Sequence, residues 1–242
     1  MPGHAPERRA LLSLLQISDS AFPTGAFSHS QSLEAFHAAG ELRDAGDLSR
    51  LVRLQLGALA TSDCVALRVA YGATQGATQG ATPGPGSALA VVVPDLLLTA
   101  TKLTRELREA SLATGRKFLR SVRALGCVGK VEELDRLIRD GTADGNLAVC
   151  YGVAGSELGV GEEATLEAYL FAGAASLVSA GQKLVPLGGD TAQRVLHELG
   201  EAVLRAARDS AKIPVESMHA FAPTVDIRSM HHERQRVRLY IS

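Results

Sequence analysis

Leu48, Leu51, Val52, Leu56 and Leu59 recur at spacings of three and four, which predicts a helix with one apolar face. Val195, Leu199 and Val203 repeat every four residues, with Leu196 beside them and Arg205 and Arg208 near the far end, and predict a second such helix. The run from Thr165 to Gly181 is apolar on nearly all sides and predicts a central helix. Glu162 and Glu163 stand at its start, where the helix dipole favours negative charge, and Gly181 stands near its end. Strand-like alternation is scarce, and only Ala88–Val93 ("ALAVVV") offers a candidate. The pattern predicts an all-α, single-domain multi-helix bundle spanning residues 1–242.

Composition refines this picture. With 46% hydrophobic residues, 4% aromatic residues and no Trp, the chain can fill a core through close helix–helix contacts. Residues 72–87 ("GATQGATQGATPGPGS") are built on an Ala-Thr-Gln-Gly repeat, and the glycines and prolines predict a flexible loop. The formal net charge of −1 gives no global attraction to nucleic acid or to an anionic membrane. The three cysteines, Cys64, Cys127 and Cys150, are widely spaced and odd in number, so neither a zinc pair nor a disulfide framework is expected. The longest apolar stretch, "ALAVVVPDLLLTA", falls short of the ~20 residues that a spanning helix needs. The N-terminal apolar run is too short for a secretory signal. A soluble, cytoplasmic protein is expected.

Catalytic apparatus is thin. The sequence contains no Gly-x-Ser-x-Gly, Gly-x-Gly-x-x-Gly or His-Glu-x-x-His motif. The Gly129-Lys130 pair lacks the phosphate-cradling context, because Ala124 stands where the first glycine belongs and Val131 replaces Ser or Thr. It reads as a helix break. His231 and His232 form the only histidine cluster. Neighbours on a helix point about 100° apart, so a shared metal is geometrically awkward; metal ligation by the pair is an alternative to a polar, basic tail surface. His29 and His37 are expected two turns apart on one helix face.

The stretch Leu14–Glu34 ("LLQISDSAFPTGAFSHSQSLE") combines a turn at Pro23 and Gly25 with a cap at Ser28 or Ser30. Gln31 lies three beyond Ser28, as in a capping box. Capping leaves Phe22, Phe27 and Phe36 unexplained, flanked by Asp19 and His29. Apolar groups framed by polar ones point to a binding surface.

Leu14, Leu15, Gln16, Asp19, Pro23, Gly25, Phe27, Ser30, Leu33 and Glu34 stand in register with the N-terminal signature of the urease accessory protein UreF family, which this stretch resembles. "RELREASLATGRKFL", "NLAVCYGVAGSELGV" and "KLVPLGGDTAQRVL" resemble later blocks of the family in the same order. "PTVDIRSMHHERQRVRLYIS" is similar to its C-terminal signature through Asp226, Ile227, Ser229, Met230, His232, Glu233, Gln235, Arg238 and Leu239. The chain departs from the pattern at Ala26 and Ser32, where glycines are usual, at Gly189 in place of Gln, and at Tyr240-Ile241 in place of Phe and a basic residue. If the glycine at position 26 served a positive φ, Ala26 would carry strain on the order of 1 kcal/mol.

The resemblance implies an all-α protein that is not an enzyme, has no catalytic residues and needs no cofactor of its own. It implies a homodimer that binds UreD (UreH in some systems), recruits the GTPase UreG and docks on the urease apoprotein. There it promotes GTP-dependent nickel delivery and possible control of UreG turnover, with nickel and GTP handled by the partners. The alternatives are a nickel-binding metallochaperone acting through His231 and His232, or a purely structural scaffold. The resemblance also implies that Phe27, Ser28, His29, Ser30 and Glu34 present a surface to UreG, with Glu34 meeting a basic switch residue. Lys183, Pro186 and Gly188 of "KLVPLG" are expected at the UreD/UreH interface together with Asp226, Met230, His232, Glu233 and Arg238 of the tail, 223–242. That tail, carrying Arg228, Arg234, Arg236 and Arg238 around Ile227, Met230 and Leu239, is expected to order only on a partner; the alternative is a helix docked on its own subunit.

Overall fold

The computed structural model of the chain describes residues 5–26, 29–78, 86–235 and 238–241. Among these residues there are eleven α-helices and no strand. In chain order the helices are α1 (Ala5–Ser18), α2 (Leu33–Ala38), α3 (Ala45–Thr61), α4 (Asp63–Thr78), α5 (Gly86–Thr101) and α6 (Arg105–Ala124). They continue with α7 (Lys130–Arg139), α8 (Leu147–Glu157), α9 (Glu162–Leu184), α10 (Gly189–Ser210) and α11 (Pro223–His232), with the 3-10 turn Val215–Ser217 before α11. The chain is an all-α bundle.

The two amphipathic patterns become α3 and α10, which pack against each other with Leu48, Leu51, Val52 and Leu56 of one and Val195, Leu199 and Val203 of the other all buried. Asp44 starts α3 by accepting the Asp47 backbone N–H at 2.9 Å, the usual relief for a first-turn donor with no partner inside the helix.

The helix enclosed on all sides is α8, not α9. Every residue from Ala148 to Ser156 is buried. Small side chains allow this: a Cβ on Gly152 would collide with the Leu67 carbonyl of α4, and one on Gly155 with Thr165 of α9. The longer apolar run in α9 leaves Phe171 exposed and Ala172, Gly173, Ala175, Ser176 and Ser179 partly open along one side.

Two expectations change in the middle of the chain. The strand candidate "ALAVVV" lies within α5, which carries Pro94 in its interior. Seven residues of the expected loop, 72–78, extend α4 instead, and Gly86 and Ser87 open α5; the remainder, 79–85, lies outside the described residues. Neighbours decide this where composition misleads. Thr74 is buried and donates its hydroxyl to the Ala70 carbonyl at 2.9 Å, while the Gln75 amide donates to Tyr71 Oη at 3.3 Å and Ser156 Oγ at 3.2 Å.

The residue after Pro94 anchors the bundle. Asp95 is fully buried, and its carboxylate accepts the backbone N–H groups of Asp144 (2.6 Å), Gly145 (2.8 Å) and Asn146 (2.9 Å) together with Asn146 Nδ2 (2.9 Å). It thus places a negative charge at the start of α8, where the dipole favours one. Asn146 also donates to Thr99 Oγ1 at 2.7 Å and accepts from Ser111 Oγ at 2.9 Å, tying α5, α6 and α8 together. Gly145 takes φ +86°, and α6 passes so closely that a Cβ on Gly115 would strike the Gly145 carbonyl.

Candidate partner-docking site

The N-terminal signature folds as a tight turn between α1 and α2. Asp19 accepts the Phe22 N–H at its carbonyl (2.9 Å) and the Ala21 N–H at its carboxylate (2.6 Å), and Gly25 takes φ +79°. The expected capping box involves Ser28, which lies outside the described residues, and α2 starts later than that box would place it. Gln31 and Ser32 are both left-handed, at φ +48° and +75°, so α2 begins only at Leu33, and the Ser30 hydroxyl meets the Glu34 N–H at a long 3.4 Å. The glycine whose absence introduces strain is therefore the one at 32, not 26, because a side chain in this region costs about 1 kcal/mol. Ser32 recovers part of it by donating to the Val225 carbonyl of α11 at 3.3 Å. His29 precedes the helix, so it does not share a face with His37. It is half-buried, and desolvation lowers its pKa.

Glu34 is turned inward, only 8% exposed. Its carboxylate accepts the backbone N–H groups of Leu239 at 2.7 Å and Tyr240 at 3.0 Å, and lies 3.1 Å from Nε2 of His232. His232 is 0% exposed, and its Nδ1 lies 2.8 Å from Glu106 Oε2 on α6. Arg238 completes the cluster by donating to Glu106 Oε1 at 2.9 Å and to the Glu233 carbonyl at 2.7 Å. The ring thus bridges Glu34 and Glu106, and Arg238 brings a guanidinium to the same Glu106 carboxylate. Three distant segments converge on this cluster: α2, α6 and the C-terminal tail.

The tail is therefore docked on its own subunit rather than frayed. The polar cluster supplies partners that no sequence window around the tail contains. Ser32, Thr104 and Glu106 receive its inner face, with Ser229 donating to Thr104 at 3.0 Å, while Arg228 donates to Glu41 at 3.2 Å and lies over the Phe36 ring at 5.9 Å.

Helix α11 buries Val225 together with two polar residues and leaves apolar side chains outside. Its polar Ser229 and His232 point into the protein, while Ile227 is 51% exposed and Met230 47%. Leu239 and Ile241 in the tail and Phe221 before the helix are exposed as well.

The other expected residues divide. Asp226 is half-buried, and desolvation raises its pKa against the opposing effect of Lys102. Glu233 pairs with Arg105 at 3.5 Å. Lys183 is exposed and lies 5.7 Å from the centroid of the Tyr240 ring, and Tyr240 Oη donates to the Ala180 carbonyl at 3.4 Å, so the Lys183–Gly188 block adjoins the tail. Pro186 and Gly188 are exposed. Ser30 is buried, and Phe27 and Ser28 lie outside the described residues. His231 is exposed beside the Arg228 guanidinium at 3.3 Å, whereas both ring nitrogens of His232 are engaged by carboxylates. The two rings do not converge on a shared ion, and among the described residues no group of three or more His, Cys, Asp or Glu side chains is placed to hold a metal. Glu106 belongs to the block that resembles the family but was not among the expected site residues; it sits 126 positions from His232, and only the fold brings them together.

The UreF family model matches residues 42–200. The chain belongs to the UreF family. The urease accessory protein UreF of Paenarthrobacter aurescens (strain TC1) is 35% identical over 232 residues, covering 96% of this chain and 97% of that protein. Those of Kocuria rhizophila and Azorhizobium caulinodans are 33% and 34% identical, each match covering at least 97% of both chains.

In this UreF chain the signature turn also walls a mostly apolar cleft of about 480 Å³ that extends along the open side of α9. Its floor is aromatic: Phe118 and Tyr151 stack at 5.1 Å, and Tyr169 meets Tyr151 edge-on at 5.6 Å. Burial pushes the Tyr151 phenol up to about 12, while Tyr169 donates to Asp63 at 3.0 Å beside the Asp63–Lys102 ion pair at 2.8 Å. Among the described residues of this UreF chain, no helix is long and apolar enough to cross a membrane.

Proposed function

We propose that this UreF family member is a non-enzymatic adaptor of urease maturation in the cytoplasm. It binds UreD/UreH, recruits UreG, and promotes GTP-dependent nickel insertion into apo-urease while modulating UreG turnover. It carries no cofactor, and nickel and GTP are handled by its partners. The single observation that carries this reading is the outer side of α11: Ile227 and Met230 face outward there near the exposed Leu239, and such apolar side chains gain by being covered. UreD/UreH is the proposed cover, across α11, the exposed Leu239 and the adjoining Lys183–Gly188 block.

Replacing both Ile227 and Met230 with Asp is expected to weaken binding of purified UreD/UreH at least about tenfold without changing helical content. Wild-type affinity in the double variant contradicts the assignment.

The homodimer is proposed to form along α9. Its partly open small residues permit close helix approach, and Phe171, 46% exposed beside the cleft, is a ready knob for a second copy. Phe171→Asp is expected to convert the dimer to monomer in sedimentation experiments; an unchanged dimer places the contact elsewhere.

A further inference from the structure

Sulfur is divided unevenly between the core and the surface. Cys64, Cys127 and Cys150 are all buried, and burial pushes each thiol up, so none is held as the reactive thiolate. Of the two described methionines, Met218 is half-buried and packs against the core. Met230 is the exposed one, on the outer side of α11. A thioether has no proton to lose before it reacts, so access decides which methionine an oxidant meets first.

The position of Met230 gives that exposure a consequence. Ile227 stands three residues earlier on α11, the spacing that makes helix residues neighbours, and is exposed as well. Both belong to the proposed UreD/UreH surface. Oxidation adds to Met230 a strongly polar oxygen that accepts hydrogen bonds and brings no donor of its own. In the free protein that oxygen stays in water. Under a partner it is buried among apolar groups, where an unpaired polar atom is costly.

We propose that Met230 is a site of reversible oxidation by a hydroperoxide, and that its sulfoxide releases α11 from the partner that covers it. The site is independent of the adaptor reading; the release rests on it. The sulfur lone pair attacks one peroxide oxygen, an S–O bond forms as the O–O bond breaks, and the transferred hydroxyl gives its proton to the departing hydroxide. With hydrogen peroxide the products are methionine sulfoxide and water, the sulfur being oxidised and the peroxide reduced. Thiol-dependent methionine sulfoxide reductases, one for each sulfoxide epimer, restore the thioether.

The test treats the full chain with hydrogen peroxide and removes the peroxide before purified UreD/UreH is added. Peptide mass spectrometry is expected to show oxygen on Met230 at least about tenfold sooner than on Met218, and ahead of all three cysteines. Affinity for UreD/UreH is expected to fall at least about tenfold on oxidation and to return after both reductases and a thiol are supplied. The Met230→Leu chain, whatever its own affinity, is expected to bind equally before and after peroxide. Oxidation of Met218 or of a cysteine ahead of Met230 overturns the site. An oxidised chain that binds like the untreated one, or an equal loss in Met230→Leu, overturns the release while leaving the adaptor reading intact. An untreated chain that does not bind UreD/UreH sinks the adaptor reading and the release together, and the mass spectrum still decides the site.

Discussion

Glu34→Ala is expected to destabilise the protein by about 3 kcal/mol or more and to release the C-terminal tail. Removing this carboxylate orphans the Leu239 and Tyr240 amides and leaves His232 and Arg238 facing Glu106 alone. Taking one member from a buried polar cluster leaves its partners unsatisfied, which is among the more damaging single changes. Chemical denaturation measures the loss, and hydrogen exchange at Leu239 and Tyr240 reports the tail directly. Glu34→Gln keeps one acceptor oxygen but no charge, and is expected to fall between wild type and alanine. Wild-type stability and fully protected tail amides in Glu34→Ala would show that the cluster does not hold the tail. The expectation of Glu34 as an outward contact for UreG is replaced by an internal role, so any recruitment defect in this variant is expected to accompany tail exposure and not to occur without it.

Asp95→Asn is expected to cost a similar amount, about 3 kcal/mol, for a different reason. The carboxylate accepts four hydrogen bonds with no exposure to water, and an amide supplies one oxygen acceptor while turning its own N–H₂ toward backbone donors at 144–146. The start of α8 then loses both its charge and part of its cap. Thermal unfolding followed by far-ultraviolet dichroism is the direct measurement. A loss below about 1 kcal/mol would mean that the 144–146 turn is held by Ser111, Thr99 and Gly145 without the charge.

How much was legible in advance differs from element to element. Leu48 to Leu59 and Val195 to Val203 were legible because each helix buries one stripe, and a stripe is a local pattern. The central helix was misplaced because apolar content does not measure enclosure: α8 owes its position to Gly152 and Gly155, which admit neighbours closely, while α9 is apolar enough to leave Phe171 for a second surface. Residues 72–78 read as loop from their repeat, yet Thr74 and Gln75 find partners on α4 and α8 that make a helix the better choice. In the N-terminal signature the turn at Pro23 and Gly25 was visible. The left-handed pair Gln31–Ser32, which moves the helix start past the expected caps, was not, since neither residue type demands that conformation.

Residue order alone settles the class of fold and the family, because helical periodicity and ordered sequence blocks are properties of the chain itself. It also names Glu34, His232 and Arg238 as residues that matter. Tertiary structure decides what they do. Glu34 and His232 stand 198 positions apart, and only packing of α2 against α11 turns a carboxylate, an imidazole and Glu106 into one buried cluster. That same packing turns Ser229 and His232 inward beside Val225 and leaves Ile227 and Met230 facing out, because a polar group withdrawn from water must be answered inside while an apolar side chain can await a partner.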